Sequence, residues 1–406
     1  LVLVRSAAVP ADTLPSWRVE ASVAPKGDAP APGLSISPVR PLSIDDIIGA
    51  QRVDRAVVSP DGSLVAAVVS RVVSDDGTRE RRLEIRRFED GRLVRTIVDV
   101  DGLASTRWAP AGTVLSWTTR EKDRGTIRAL DLDSGELTTV AEGVEHLGGF
   151  DWAPDNSFVI YSVGEPPAPD KSGVKRLRGL FDRREGGRRN SHLVLAAVPG
   201  GASRRLTAGE HGAHVADIHP DGRSVLVTRH IEALEERPFS RIELVRITLA
   251  DGHAETLWSG HWLGSVSWSP DGSRILATGG PSTFGEAGVA VPGDSIPNDY
   301  DGQAFIIDPG TMDIEPITRD FDPAVRSAEW SSADGRIYLT VEEGEYVRLY
   351  RYDPRKKRFD RVETGVEVIG RLDIAARSTA AVYTGSGADS PWRLYARDLR
   401  RGAPRV

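Results

Sequence analysis

Val58-Ser59-Pro60-Asp61-Gly62 ends one apolar run and is followed at once by a second, Leu64 to Val69. Proline presets φ for a turn and glycine accepts φ > 0 without a Cβ clash, so the chain must reverse there. The segment recurs as Trp108-Ala109-Pro110-Ala111-Gly112, Trp152-Ala153-Pro154-Asp155-Asn156, Ile218-His219-Pro220-Asp221-Gly222 and Trp268-Ser269-Pro270-Asp271-Gly272. Trp330-Ser331-Ser332-Ala333-Asp334-Gly335 carries one inserted residue, and a seventh, eroded copy centres on Ile374. The steps between first positions are 50, 44, 66, 50, 62 and 44 residues. The shorter ones match the roughly 40 to 50 residues of a four-stranded propeller blade.

Each turn leads into a second strand rich in β-branched and aromatic residues, such as Ser157 to Val163 or Arg336 to Val341. A third strand follows, for example Thr126 to Leu132 or Val347 to Asp353, then a turn such as Asp131-Leu132-Asp133-Ser134-Gly135 and an outermost strand such as Glu136 to Val140. The fold class is therefore all-β, a seven-bladed β-propeller of four-stranded antiparallel blades over residues 41–406. Trp108, Trp152, Trp268 and Trp330 share one repeat position, and a shared position means a shared packing need. Residues 1–40 mix Pro, Ala, Ser and Gly without periodicity and read as a flexible N-terminal arm. Its first residues, Leu1 to Ala11, leave two readings open: the stub of a signal peptide's apolar core, which implies a periplasmic or secreted protein, or part of the arm of a cytoplasmic one.

Composition agrees with many short strands. Gly and Pro together make 67 of 406 residues, well above the usual share of about 12%. A net charge of −7 gives no global attraction to nucleic acid. The absence of Cys excludes disulfides, thiolate nucleophiles and cysteine zinc sites. No apolar run approaches the roughly 18 residues of a membrane-spanning helix.

Recognisable catalytic chemistry is missing. There is no Gly-x-Ser-x-Gly elbow, His-Glu-x-x-His, phosphate loop or dinucleotide fingerprint, so no catalytic residue, metal ligand or cofactor is assigned. His211 and His214 lie three apart on an extended segment and point to opposite faces, which disfavours a metal site with His219.

Antiparallel parity gives all second-to-third connections one end of their sheets, and the three long inserts are of that kind: Gly164 to Ser191, Ile231 to Ser240 and Gly279 to Gly302. Long connections in compact domains are usually functional or disordered. The first carries eight Lys and Arg against four Asp and Glu, including Arg183, Arg184, Arg188 and Arg189, whose guanidinium forks suit carboxylates. The second carries Glu235 and Glu236. These six are the candidate substrate- or partner-binding residues. No aromatic stacking platform accompanies the basic charge, which argues against nucleic acid.

Pro41-Leu42-Ser43-Ile44-Asp45-Asp46-Ile47-Ile48 running into Val57-Val58-Ser59-Pro60-Asp61-Gly62 resembles the start of the N-terminal propeller of the prolyl oligopeptidase family of serine peptidases, especially bacterial acylaminoacyl- and dipeptidyl-peptidase-like members. Ile296-Pro297-Asn298-Asp299-Tyr300-Asp301-Gly302-Gln303, with Ile317-Thr318-Arg319-Asp320-Phe321-Asp322, is similar to a later part of it. Ser386-Gly387-Ala388-Asp389-Ser390-Pro391-Trp392-Arg393-Leu394-Tyr395 resembles the last blade before the family's catalytic domain. The Pro-Asp-Gly repeats themselves are shared with TolB-like propellers. The resemblance implies a non-catalytic propeller that restricts entry to peptide substrates and contributes binding groups, partnered by an α/β-hydrolase catalytic domain or chain. Some dipeptidyl members hold the substrate's amino terminus with a Glu pair in a propeller insert, and Glu235 with Glu236 has that chemistry. The alternative is a free-standing TolB-like propeller that serves as a protein-binding scaffold.

Overall fold

The computed structural model describes residues 43–73, 77–98, 102–165, 190–233, 236–290 and 301–406. The chain divides into two units, Leu1–Ile47 and Ile48–Val406. Beside their boundary is a short helix, Ile44–Ile48. Ser43 Oγ accepts from the Asp46 N–H at 3.2 Å while the Asp46 carboxylate accepts from the Ser43 N–H at 2.8 Å, a reciprocal cap.

The second unit is all-β. Each repeat anchor ends a first strand: Arg52–Val58, Thr106–Trp108, Leu147–Trp152, Ala213–Ile218, Leu263–Trp268, Ala324–Trp330 and Val368–Ile374. Each of these pairs antiparallel with the strand beyond the turn, as Val58 does with Val65 and Trp268 with Ile275. Four strands follow one another in chain order within each repeat. Hydrogen bonding defines five four-stranded sheets and one eight-stranded sheet. In the latter the last two repeats are joined by a single parallel pair, Val347 with Val368.

The turns behave as their residues require. In repeat 5, Gly272 takes φ +73° and its N–H donates to the Ser269 carbonyl at 2.8 Å. Asp271 Oδ1 accepts from Ser269 Oγ at 2.6 Å and from the Ser273 N–H at 3.0 Å. These bonds hold the Asp271 carboxyl down to about 2, that from Ser269 acting most strongly. Asn156, at the glycine position of repeat 3, adopts φ +62°, which its short polar side chain tolerates.

The anchor tryptophans bind neighbouring sheets together. Trp108 packs with Val57, Ala66 and Val68 of the repeat before it. Trp152 packs with Ile127 and Ala129, and Trp268 with Leu226 and Leu244. Trp108 Nε1 donates to the Val57 carbonyl at 3.1 Å and Trp152 Nε1 to Ser116 Oγ at 2.8 Å. Trp330 packs against a cluster holding Leu276 and Ile306, but is only half-buried. Between the last and first repeats, Val58 and Val65 share a core with Ala375, Ala380 and Val382.

Candidate functional site

The residue before each anchor is Val57, Arg107, Asp151, Asp217, Ser267, Glu329 or Asp373. Five of these seven are ionisable, and each sits on the first strand of its repeat. Two further cations, Arg55 and Arg371, occupy the position two residues earlier in repeats 1 and 7. A backbone irregularity recurs here. The first strands bulge between Val53 and Arg55, Val215 and Asp217, Leu263 and Val266, Val325 and Ser327, and Ile369 and Leu372. Bulges bend a strand and re-aim its side chains.

A hydroxyl on the second strand anchors this geometry. Three residues after the partner of each anchor lies Thr118, Ser162, Thr228, Thr278, Thr340 or Thr384, with Val68 in repeat 1. Thr118, Thr278 and Thr384 accept the N–H of Ser105, Ser265 and Arg371 at 3.0, 2.9 and 3.1 Å. Thr340 Oγ1 meets Ser327 Oγ at 2.6 Å. These bonds occupy groups that the bulge withdraws from the regular ladder.

The carboxylates link one repeat to the next. Asp217 Oδ2 accepts the Trp268 N–H at 2.7 Å, and Asp373 Oδ2 accepts the Val58 N–H at 2.7 Å. Glu329 likewise accepts from the Ile374 N–H. Asp151 instead pairs with Arg107 at 3.0 Å. Burial dominates their titration, pushing Asp217 and Asp373 up to about 6 and Glu329 up to about 8. Asp151 is raised for the same reason, against the pull of Arg107 and Arg55. Arg55 is lowered by burial first and then by the like charges of Arg107 and Arg371.

The result is a set of charges drawn from six repeats: Asp151 and Asp373 feel the guanidinium groups of Arg55 and Arg107, while Asp217 feels the like charge of Asp151 and Glu329 that of Asp373. It can bind polar backbone or charged ends. Among the described residues, no group of three His, Asp or Glu is placed to hold a metal ion. No helix of the described residues is long and apolar enough to cross a membrane.

Of the residues singled out by sequence, Arg183, Arg184, Arg188, Arg189 and Glu235 lie outside the described residues. Glu236 is exposed, and its N–H donates to the Ala233 carbonyl at 3.0 Å in the connection between Ser224–Glu232 and Ser240–Thr248. His219 has a packing role: its ring meets Trp268 edge-on at 4.6 Å, and Nε2 lies 3.2 Å from the Gly272 carbonyl of the next repeat. Sequence reasoning missed the inner charges. Their signal was an ionisable residue at a fixed offset before the anchor, in a strand otherwise destined for burial.

No family model matches the chain. An uncharacterized peptidase of Bacillus subtilis, YuxL, is 24% identical over 215 residues, covering 48% of this chain and 32% of its own length. Acylaminoacyl peptidase of Pyrococcus horikoshii matches in structure with a TM-score of 0.65 at 18% identity, over 89% of this chain and 53% of that one. The β-propeller domain of the Trilobed protease of Pyrococcus furiosus, which has an open velcro topology, matches with a TM-score of 0.60 at 17% identity. That match covers 87% of this chain and 96% of the domain. The chain thus spans about a third of the curated relative and about half of the acylaminoacyl peptidase. At these identities the likeness defines the fold: a propeller of four-stranded antiparallel sheets, similar to the propeller domains of acylaminoacyl peptidase and related proteases.

Proposed function

We propose that residues 48–406 form a seven-bladed β-propeller that gates and binds peptide substrates for a serine peptidase of the prolyl oligopeptidase type. Counting the eight-stranded sheet as two blades that touch through one bridge supports seven, since each half is a complete set of four consecutive strands. The observation that carries the functional reading is the match of 87% of this chain to 96% of a propeller domain that belongs to a protease. The catalytic Ser, His and Asp then lie in an α/β-hydrolase partner domain or chain, and this propeller supplies none of them. A periplasmic or secreted location is part of this proposal.

The binding face in this reading is the end of the sheets that carries the long second-to-third connections. These join Glu165 to Asn190, Glu232 to Ser240 and Gly279 to Gln303, each a paired position of adjacent strands. Arg183, Arg184, Arg188 and Arg189 contact the catalytic partner or an acidic substrate group, and Glu235 with Glu236 holds a substrate's amino terminus. Charge reversal of the four arginines, followed by titration calorimetry against the catalytic partner, tests this. Weakened association that shrinks with added salt supports the reading. Behaviour identical to charge reversals at the Pro-Asp-Gly turns opposes it, and favours a free-standing scaffold that binds elsewhere.

A further inference from the structure

A cleft of about 480 Å³ opens where the inner ends of repeats 7, 1 and 2 converge. Its described lining contains five arginines, Arg52, Arg55, Arg79, Arg81 and Arg371, against one carboxylate, Asp54. Asp54 is already committed: it accepts from Ser70 Oγ at 2.9 Å and pairs with Arg81 at 3.3 Å. Among the described residues, Arg52, Arg79 and Arg371 have no carboxylate within 4 Å. Folding does not gather so many like charges without cost. Arg55 is lowered by burial first and then by the like charges of Arg107 and Arg371, the latter also in the cleft.

A second observation is independent of the charge. Thr106 lines the same cleft, is 1% exposed, and its Oγ1 has no hydrogen-bond partner. A buried hydroxyl without a partner costs about 1 to 3 kcal/mol, and a native fold normally gives it one. The wall beside it is apolar, formed by Val68 and Leu103. Val68 stands where the other repeats place Ser or Thr, so the hydroxyl that ties down the bulge elsewhere is missing here. The bulge residue Asp54 turns to Ser70 instead.

We propose that this cleft binds the carboxylate of a short peptide's C-terminal residue, with the guanidinium groups of Arg52, Arg79 and Arg371 as charge partners and Thr106 Oγ1 as an added polar contact. Guanidinium forks match a carboxylate in geometry and charge. The apolar wall favours a carboxylate carried on a small aliphatic residue over a bare inorganic anion, which gains nothing from Val68 and Leu103. The cleft lies at the second-to-third end of its sheet, since Arg79 pairs with Val72 across the connection between their strands. The choice of a peptide as the carrier rests on the peptidase reading, whereas the charge and the unpartnered hydroxyl do not.

Calorimetric titration of the whole chain with three probes tests the proposal: trialanine, trialanine amide and inorganic phosphate. Trialanine is expected to bind at least tenfold more tightly than its amide or phosphate. Arg371→Gln, at an exposed position, is expected to weaken trialanine tenfold or more with an unchanged melting temperature. Thr106→Val, close in shape, is expected to weaken it several-fold. Equal binding of trialanine and its amide, phosphate binding as tight as trialanine, or no binding of any probe would overturn the proposal. Each readout is on this chain alone, so the outcome is separate from whether a catalytic partner associates through the inserts.

Discussion

The Asp373 carboxylate accepts a hydrogen bond from the Val58 N–H, 2.7 Å away across 315 residues of sequence. It fastens the last repeat to the first, in a sheet arrangement where no sheet mixes strands from the two ends. The same bond recurs between Asp217 and Trp268, where it joins consecutive repeats. Asp373→Ala leaves the Val58 N–H without its acceptor and should lower stability by about 1 to 3 kcal/mol. Asp373→Asn retains an oxygen acceptor and should lose less. Urea unfolding monitored by tryptophan fluorescence measures both, and equal losses would show that the bond itself contributes nothing.

The same seam constrains Gly62. Both Gly62 and Gly112 have positive φ, +80° and +76°, so alanine is strained at either. Only at Gly62 would a Cβ also collide, at 2.1 Å from Ser378 Oγ and 2.7 Å from Ala380 Cβ; at Gly112 nothing lies within 4 Å. Gly62→Ala should therefore cost more than Gly112→Ala, which carries the backbone penalty of about 1 kcal/mol alone. Thermal unfolding of the two variants gives the comparison.

Trp268 is 6% exposed and Trp330 is half-buried, although the two share a repeat position. Trp268→Ala should cost about 3 to 5 kcal/mol, as for other buried aromatics. Trp330→Ala should cost less, because part of its ring already meets water. Chemical denaturation of the pair decides whether the position or the burial sets the cost.

Much of this was legible in the sequence. The Pro-Asp-Gly turns at Gly62 and Gly272 require reversal wherever they occur, and the spacing between them fixes four-strand units. The inner charges were harder to see. Asp217 and Glu329 look like ordinary polar residues in alternating strands until the bulges before them aim both toward residues of other repeats. Bulges leave little trace in composition. The Ser and Thr residues that anchor them did repeat at a fixed offset, from Thr118 to Thr384, but hydroxyls are also common in exposed strands. The arginine cleft was hidden for another reason: Arg52 and Arg79 stand on the first and third strands of repeat 1, and Arg371 reaches them from repeat 7 at the other end of the sequence.

The half-buried carboxyls of the first strands set a pH dependence of stability. Glu329 has its proton affinity raised from 4.5 to about 8, so the fold favours its neutral form. That contribution is fully present below pH 4.5 and is lost as pH rises through 8. Asp217 and Asp373, raised to about 6, lose theirs between about pH 4 and 6. Asp271, lowered to about 2, acts in the opposite sense only in stronger acid. The melting temperature should therefore fall from pH 5 to pH 9, and Glu329→Gln should flatten the part of the fall above pH 6. A variant that reproduces the wild-type slope would place the titrating group elsewhere.

The central claim is that this propeller serves a serine peptidase whose nucleophile lies outside residues 1–406. It is tested most directly by fluorophosphonate labelling of the chain alone and of the product expressed together with the coding sequence contiguous with Val406, with the labelled peptide identified by mass spectrometry. The account predicts no labelling of the chain alone, and labelling at one serine within a Gly-x-Ser-x-Gly outside residues 1–406, in the longer product or in a separate chain that co-purifies with it. Stoichiometric labelling within residues 1–406, or no reactive serine in either the longer product or a chain that co-purifies with it, would contradict it.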